Sequence, residues 1–284
     1  MAAPFAIPVG LNPTAIGVEP AWWLDAARQA EAAGCATVWI WDHFISRGEL
    51  SDPLLACWPM LTAAAVSTER IGVGSFVANN VNLHPAVLAN TVGTLAALAP
   101  GRVELGIGIG GHPAEHEAYG MDFPPASERA ERLEESIAVL RALFGGGPVD
   151  YEGRHYRLAD ARAFPVPDPL PRIVVAGMRP AGARLAARMG DAWTCFDDAF
   201  EALQPVFLAE LERVGRSAVD VSVVVGIEAE RVREPLHELT ARWARAGAAE
   251  LVIHDVMPAE LERIMRLVCC LLYTSDAADD LLQV

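Results

Sequence analysis

Hydrophobic and polar positions follow two alternating rhythms along this chain. Short apolar runs of five to nine residues are separated by longer stretches in which apolar positions recur every third or fourth residue. The first pattern predicts strands and the second amphipathic helices. Strands are predicted at 5–11, 36–41, 70–78, 102–110, 172–177, 191–195, 221–229 and 249–256. Proline openings and glycine stops punctuate the helices between them. One helix opens at Glu19-Pro20 and ends at Gly34, and a second spans about 53–67. A third, 84–99, is begun by Pro85 and stopped by Pro100-Gly101. The long helix 126–144 runs into Gly145-Gly146-Gly147. Further helices follow at 180–190, from strand six to Gly215, at 235–247 and at 258–268.

Residues 148–171 break the rhythm with five prolines and no helical period, and read as a surface excursion holding a short hairpin. Eight strand–helix units imply parallel pairing with right-handed crossovers, and eight close an α/β barrel, the (β/α)8 or TIM barrel. An open doubly wound sheet competes with that reading. It usually carries a nucleotide fingerprint after its first strand, and the turn 12–20, NPTAIGVEP, has none. The expectation is one barrel over 1–269, with an insertion between strands four and five.

Composition narrows the partners. With 52% apolar and 21% charged residues among 284, the chain is globular. No apolar run approaches the roughly 18 residues of a membrane span, and MAAPFAIPVGL lacks the basic flank of a signal peptide. A cytoplasmic protein off the membrane is expected. Thirty-seven acidic residues against 22 basic ones leave a net charge of −15, which repels phosphate backbones and disfavours nucleic acid. Cys35, Cys57, Cys195, Cys269 and Cys270 show no metal-binding spacing and read as small buried hydrophobes. From Cys270 onward the chain resembles one translated frame of a sequencing-library adapter, so residues 270–284 are expected to be non-native. Without Asp276, Asp279 and Asp280 the charge would be −12, still acidic.

Barrel active sites form at the C-terminal ends of the strands. Those ends supply Asp42, His43 and Phe44 after strand two, and Ser75, Phe76, Ala78, Asn79 and Asn80 from strand three. They also supply Gly106, Gly108, Gly110 and Gly111 from strand four, Gly177, Met178 and Arg179 after strand five, Trp193 in strand six, and His254 and Asp255 in strand eight. His43 is the best proton-transfer candidate, because an imidazole titrates near neutrality. Asp42, beside it, points to the opposite side if the pleat persists, which leaves one of the two free to cap or anchor the following loop. Glu115 and Glu117 fall on a turn after strand four, one as a candidate acid and the other solvated. Glu104, near a strand start, reads as structural at the barrel bottom. His112, His116, His155 and His237 rank as surface or loop residues. The glycine series either admits a flat ring to the backbone or serves tight packing inside the barrel. It is not a dinucleotide fingerprint, since no helix is expected directly behind it. The turn at Gly177–Arg179, leading into a helix, offers unpaired amides for an anion.

Taken together, AEAAGCATVWIWDHF, NNVNLHPAVLANTVGTLAALAPGRVELGIGIGG, EHEAYGMDFPPASERAERLEESIAVLRALF, YEGRHY and VVAGMRPAGARLAARMGDAW resemble the luciferase-like monooxygenase family over residues 5–268. The resemblance implies a flavin-type cofactor at the barrel mouth, with its phosphate at the Gly177–Arg179 turn. The DHF motif is similar to the branch that uses the deazaflavin coenzyme F420 for hydride transfer, in which this histidine is assigned to proton transfer. FMN with molecular oxygen is the alternative, and a non-catalytic flavin-binding barrel a third. The resemblance also implies a non-proline cis peptide at Ser75-Phe76 against the ring, a small-molecule substrate, and a homodimer through early helices, with Trp58 and Met60 suited to that surface. Where sugar-phosphate-oxidising members carry a glutamate after the glycines, this chain has Gly110-Gly111-His112. Arg179 and Arg47 are the expected cations for an anionic cofactor tail. No metal site is expected, since no strand end carries a His/carboxylate cluster.

Overall fold

The computed structural model describes residues 6–46 and 52–269. Phe5 at the predicted start of strand one, Arg47, and the tail from Cys270 lie outside the described residues. The strands are β1 Val9–Pro13, β2 Thr37–Ile40, β3 Gly72–Asn79, β4 Val103–Gly108, β5 Val149–Glu152, β6 Arg157–Ala161, β7 Arg172–Ala176, β8 Ala192–Phe196, β9 Ser222–Glu228 and β10 Glu250–Val256. All but β5 and β6 close one barrel in the order β1-β2-β3-β4-β7-β8-β9-β10, and every neighbouring pair is parallel.

The helices are α1 Pro20–Ala32, α2 Cys57–Ser67, α3 Pro85–Leu98, α4 Pro113–Ala118, α5 Ala126–Phe144, α6 Pro180–Met189, α7 Asp197–Arg213, α8 Leu236–Ala246 and α9 Pro258–Cys269. Their apolar stripes explain how they pack. In α1, Trp23, Ala26, Ala27 and Ala30 recur at helical spacing and are buried. In α5 the buried stripe runs from Leu133 through Ile137 and Leu140 to Phe144. Most of the core lies between this helical ring and the barrel. A smaller cluster of Trp39, Phe76, Val174, Ala192, Val224 and Val252 fills the barrel interior. Cys35, Cys57 and Cys195 are buried, as their spacing implied.

Two expectations need correction here. A short helix, α4, does start two residues behind the strand-four glycines, with Pro113 at its first position, where the missing N–H costs nothing. Met60 is not a surface residue, because its side of α2 faces the core, and Trp58 is half-buried against that core.

The excursion after α5 forms the antiparallel β5–β6 hairpin and lies on the helical ring. Its Arg154, His155 and Tyr156 amides donate to the Glu135 carboxylate of α5 at 2.9–3.1 Å. The Asn90 amide of α3 donates to the Phe164 carbonyl at 2.7 Å. At the bottom of the barrel, Arg172 opens β7 and bridges two carboxylates. Its Nε donates to Glu104 at 2.8 Å and its Nη2 to Glu250 at 2.5 Å. Burial pushes both carboxyls above their ordinary values, and Arg172 opposes that rise. Glu104 thus has the structural place its position near a strand start predicted. No helix among the described residues is long and apolar enough to cross a membrane.

Candidate active site at the barrel mouth

A cavity of about 660 Å³ opens at the C-terminal ends of the strands, within the usual range for small-molecule and cofactor sites. One wall comes from the end of β2. Trp41 and His43 line it, while Phe44 turns outward and is 41% exposed. Asp42 points the other way, as the pleat demands. It is buried, and the Asn79 amide donates to its carboxylate at 3.0 Å. Burial pushes this carboxyl up to about 6; the Asn79 amide and His43 oppose the rise, and the charge of Glu115 adds to it. Asp42 therefore ties β2 to β3 beneath the site and does not line the cavity.

His43 and Glu115 are 72 residues apart and meet at 3.1 Å. Because the carboxylate only accepts, Nδ1–H of His43 donates to Glu115, which assigns the tautomer. The same Glu115 oxygen accepts the Phe44 amide at 2.8 Å. Glu115 is fully buried on the first turn of α4. Burial pushes its carboxyl up, but the His43 imidazole and the Phe44 and Ile45 amides outweigh burial and hold it below its ordinary value. A charged acceptor on Nδ1 leaves Nε2 of His43, on a side chain 16% exposed, to give or take a proton.

The opposite side comes from β3 and β4. Ala78, Asn79, Phe76 and Val77 line the cavity, whereas Ser75 lies below it. The Ser75 hydroxyl donates to the Gly106 carbonyl at 2.7 Å. The non-proline cis peptide joins Phe76 to Val77, one residue later than expected, where the β3–β4 register shifts between Ser75 and Ala78. The glycine series divides into the two roles left open. Gly106 packs so closely on the Ser75 carbonyl that a side chain would collide with it, so it serves barrel packing. Gly108, Gly110 and Gly111 line the cavity, but a side chain at Gly110 would collide with Asn79 and one at Gly108 would press on Val77, so of these three Gly111 is the one that opens onto free space.

A third side is the β7–α6 turn. Gly177, Met178, Arg179, Ala181 and Gly182 all line the cavity. Gly177 and Gly182 approach backbone to backbone, which any Cβ would prevent. The first-turn amides of Ala181 and Gly182 have no intrahelical partner, and no side chain caps α6. Together with Arg179 they turn a cation and two unpaired donors toward one corner of the cavity, the arrangement a helix N-terminus offers an anion.

Several residues were placed differently by the sequence. Trp193 faces outward, packs on Phe200 and Phe207, and its indole donates to the Gly177 carbonyl at 3.0 Å. Strand alternation instead sends Thr194 and Phe196 into the cavity. His254 lines the cavity and stacks on Trp41 at 5.0 Å, but Asp255 does not line it. His112, ranked as a loop residue, also lines the cavity, with its ring 5.9 Å from that of His43. His116 is not a surface residue either. It is fully buried, donates from Nδ1 to the His112 carbonyl at 3.2 Å, and packs on Phe123.

Arg129 of α5 escaped sequence reasoning altogether. Its guanidinium donates to the carbonyls of Ile109 (3.0 Å), Pro124 (2.5 Å) and Gly110 (3.4 Å), and lies over the Phe123 ring. An arginine on the stripe of Ala126, Ala130 and Leu133 was the available signal. Among the described residues, no group of three or more His, Cys, Asp or Glu side chains is placed to hold a metal ion.

The chain is 34% identical over 247 residues to a protein of Beutenbergia cavernae named F420-dependent glucose-6-phosphate dehydrogenase, covering 83% of this chain and 72% of that one. A protein of the same name from Kineococcus radiotolerans is 32% identical over 268 residues, covering 90% and 78%. Among solved structures, an F420-dependent secondary alcohol dehydrogenase in complex with an F420-acetone adduct shares the fold, with a TM-score of 0.80, 20% identity, and coverage of 93% and 96%. The F420-dependent tetrahydromethanopterin reductase of Methanopyrus kandleri does so with a TM-score of 0.76, 20% identity, and coverage of 93% and 97%. The model of the luciferase-like monooxygenase family matches residues 2–255, and the chain belongs to that family.

Proposed function

We propose that the protein is an oxidoreductase that uses the deazaflavin coenzyme F420 to exchange hydride with a small organic substrate at the barrel mouth. The observation that carries this reading is the His43–Glu115 pair, which leaves one imidazole nitrogen available at a largely apolar cavity. The two relatives named as F420-dependent dehydrogenases support the choice of cofactor.

The residues present fit the group. Gly111, where a side chain would meet open space, lets a flat ring come close to the backbone, and Val77 and Ala78 give it an apolar face. Arg179 and the first-turn amides of α6 would hold its anionic tail. When bound, the deazaflavin supplies hydride transfer. The chain's own part is proton management: neutral Nε2 of His43 accepts the proton of a substrate hydroxyl on oxidation, the imidazolium gives it to a carbonyl oxygen on reduction, and Glu115 stabilises the imidazolium. Asp42 and Arg129 keep the strand-three and strand-four ends in place.

Titration with F420 and FMN separately, followed by tryptophan fluorescence, tests the cofactor. Binding of the deazaflavin in preference to FMN is expected, and preference for FMN would overturn the reading. Replacing His43 by Ala is expected to cost on the order of 10²–10⁴ in turnover with cofactor affinity unchanged; undiminished turnover would remove His43 from proton transfer. A homodimer is likewise proposed, supported by the family resemblance alone. A solution mass of one chain would overturn it.

A further inference from the structure

The two dehydrogenase relatives are named for a phosphorylated sugar, and the walls of this cavity are poorly suited to one. The chain contains no lysine, and its 22 basic residues are all arginine. Among the described residues lining the cavity, the cations are Arg129 and Arg179. Arg129 is committed to three backbone carbonyls and an aromatic face. Arg179 sits at the α6 corner, which the proposed function assigns to the cofactor's anionic tail. No second cation remains on the described walls to neutralise a substrate phosphate.

Rings take the place of charges. His112 and His43 meet edge to face at 5.9 Å, and Trp41 follows His43 at 6.0 Å. His254 stacks on Trp41 with an interplanar angle of 10°, and Phe196 meets His254 at 5.1 Å. This run of five rings, three of them imidazoles, lines one side of the cavity and offers flat, polarisable contact around His43. Such a surface favours a planar or unsaturated apolar body. From this, and resting on the deazaflavin reading, we infer that the substrate is an uncharged alcohol or carbonyl compound with a flat apolar body, not a sugar phosphate.

Calorimetric titration of the F420-loaded protein with acetophenone and, separately, with glucose 6-phosphate tests the inference without a turnover measurement. Saturable binding of acetophenone and none of glucose 6-phosphate is the expected result. Phe196→Ala should weaken acetophenone binding by about two- to tenfold. Phe196→Leu, which keeps the bulk, should show a similar loss if the ring face matters. Saturable binding of glucose 6-phosphate, or of neither compound, would overturn the inference, and so would acetophenone affinity unchanged in both variants. If F420 itself does not bind, the deazaflavin reading fails separately. The same two titrations on the cofactor-free protein then still decide between the neutral and the phosphorylated substrate.

Discussion

The two ends of the barrel both hold buried carboxylates, and they use them in opposite ways. At the bottom, Glu104 and Glu250 share the guanidinium of Arg172 at 2.8 and 2.5 Å, so each charge faces a permanent countercharge. At the mouth, Glu115 is stabilised by an imidazole and two backbone amides, and Asp42 by the Asn79 amide. A guanidinium does not lose its proton in the working range, so the bottom network is inert. An imidazole can give and take a proton, which is why the proposed chemistry is assigned to the mouth network. On the proposed function, the type of partner given to a buried carboxylate separates scaffold from chemistry in this chain.

Removing a partner at each end should therefore have different consequences. Arg172→Met strands two carboxylates at the bottom and is expected to cost about 3–5 kcal/mol of stability. Chemical denaturation measures this, and turnover at low temperature should be largely retained. A stability loss below about 1 kcal/mol would show that the bottom network is not a scaffold.

Asp42 gives a pH signature. Its folded value of about 6 lies above its ordinary 3.8, so the folded state holds a proton that the unfolded chain has released. Stability from this group is therefore lost as pH rises from about 4 to about 6, by up to about 3 kcal/mol. Asp42→Asn keeps an acceptor for the Asn79 amide and should remove that slope. The difference between wild-type and variant unfolding free energies across this window checks it, and parallel curves would refute it.

Glu115→Gln is the mildest change, because it keeps an acceptor for Nδ1–H of His43 but removes the charge. Turnover is expected to fall about 10- to 100-fold. Turnover reduced less than about twofold would reduce Glu115 to a structural support for the Phe44 loop.

Legibility in the sequence followed the range of the interaction. The long helix α5 was expected at 126–144 and lies at Ala126–Phe144, since its stripe and its glycine stop are local signals. Strand ends were located to within a few residues, which sufficed to nominate His43, Asn79, Gly177 and Arg179. Facing was harder. Trp193 was nominated in place of Thr194 and Phe196 because a one-residue error in a period of two reverses the side. His112 and His116 were misjudged because a six-residue helix carried one into the cavity wall and the other into the core.

The linear order of residues was enough for the eightfold strand–helix alternation, the proline-rich excursion and an acidic chain whose basic residues are all arginine. Each of these depends on spacing along a few turns or on composition, which the sequence carries directly. The tertiary structure alone decided that His43 meets Glu115 across 72 residues, that Arg129 is spent on backbone carbonyls, and that five rings line one wall. Those contacts arise from barrel closure and from the path of the loop through α4. Both depend on how distant segments pack, and a periodicity of two or 3.6 residues contains no record of that.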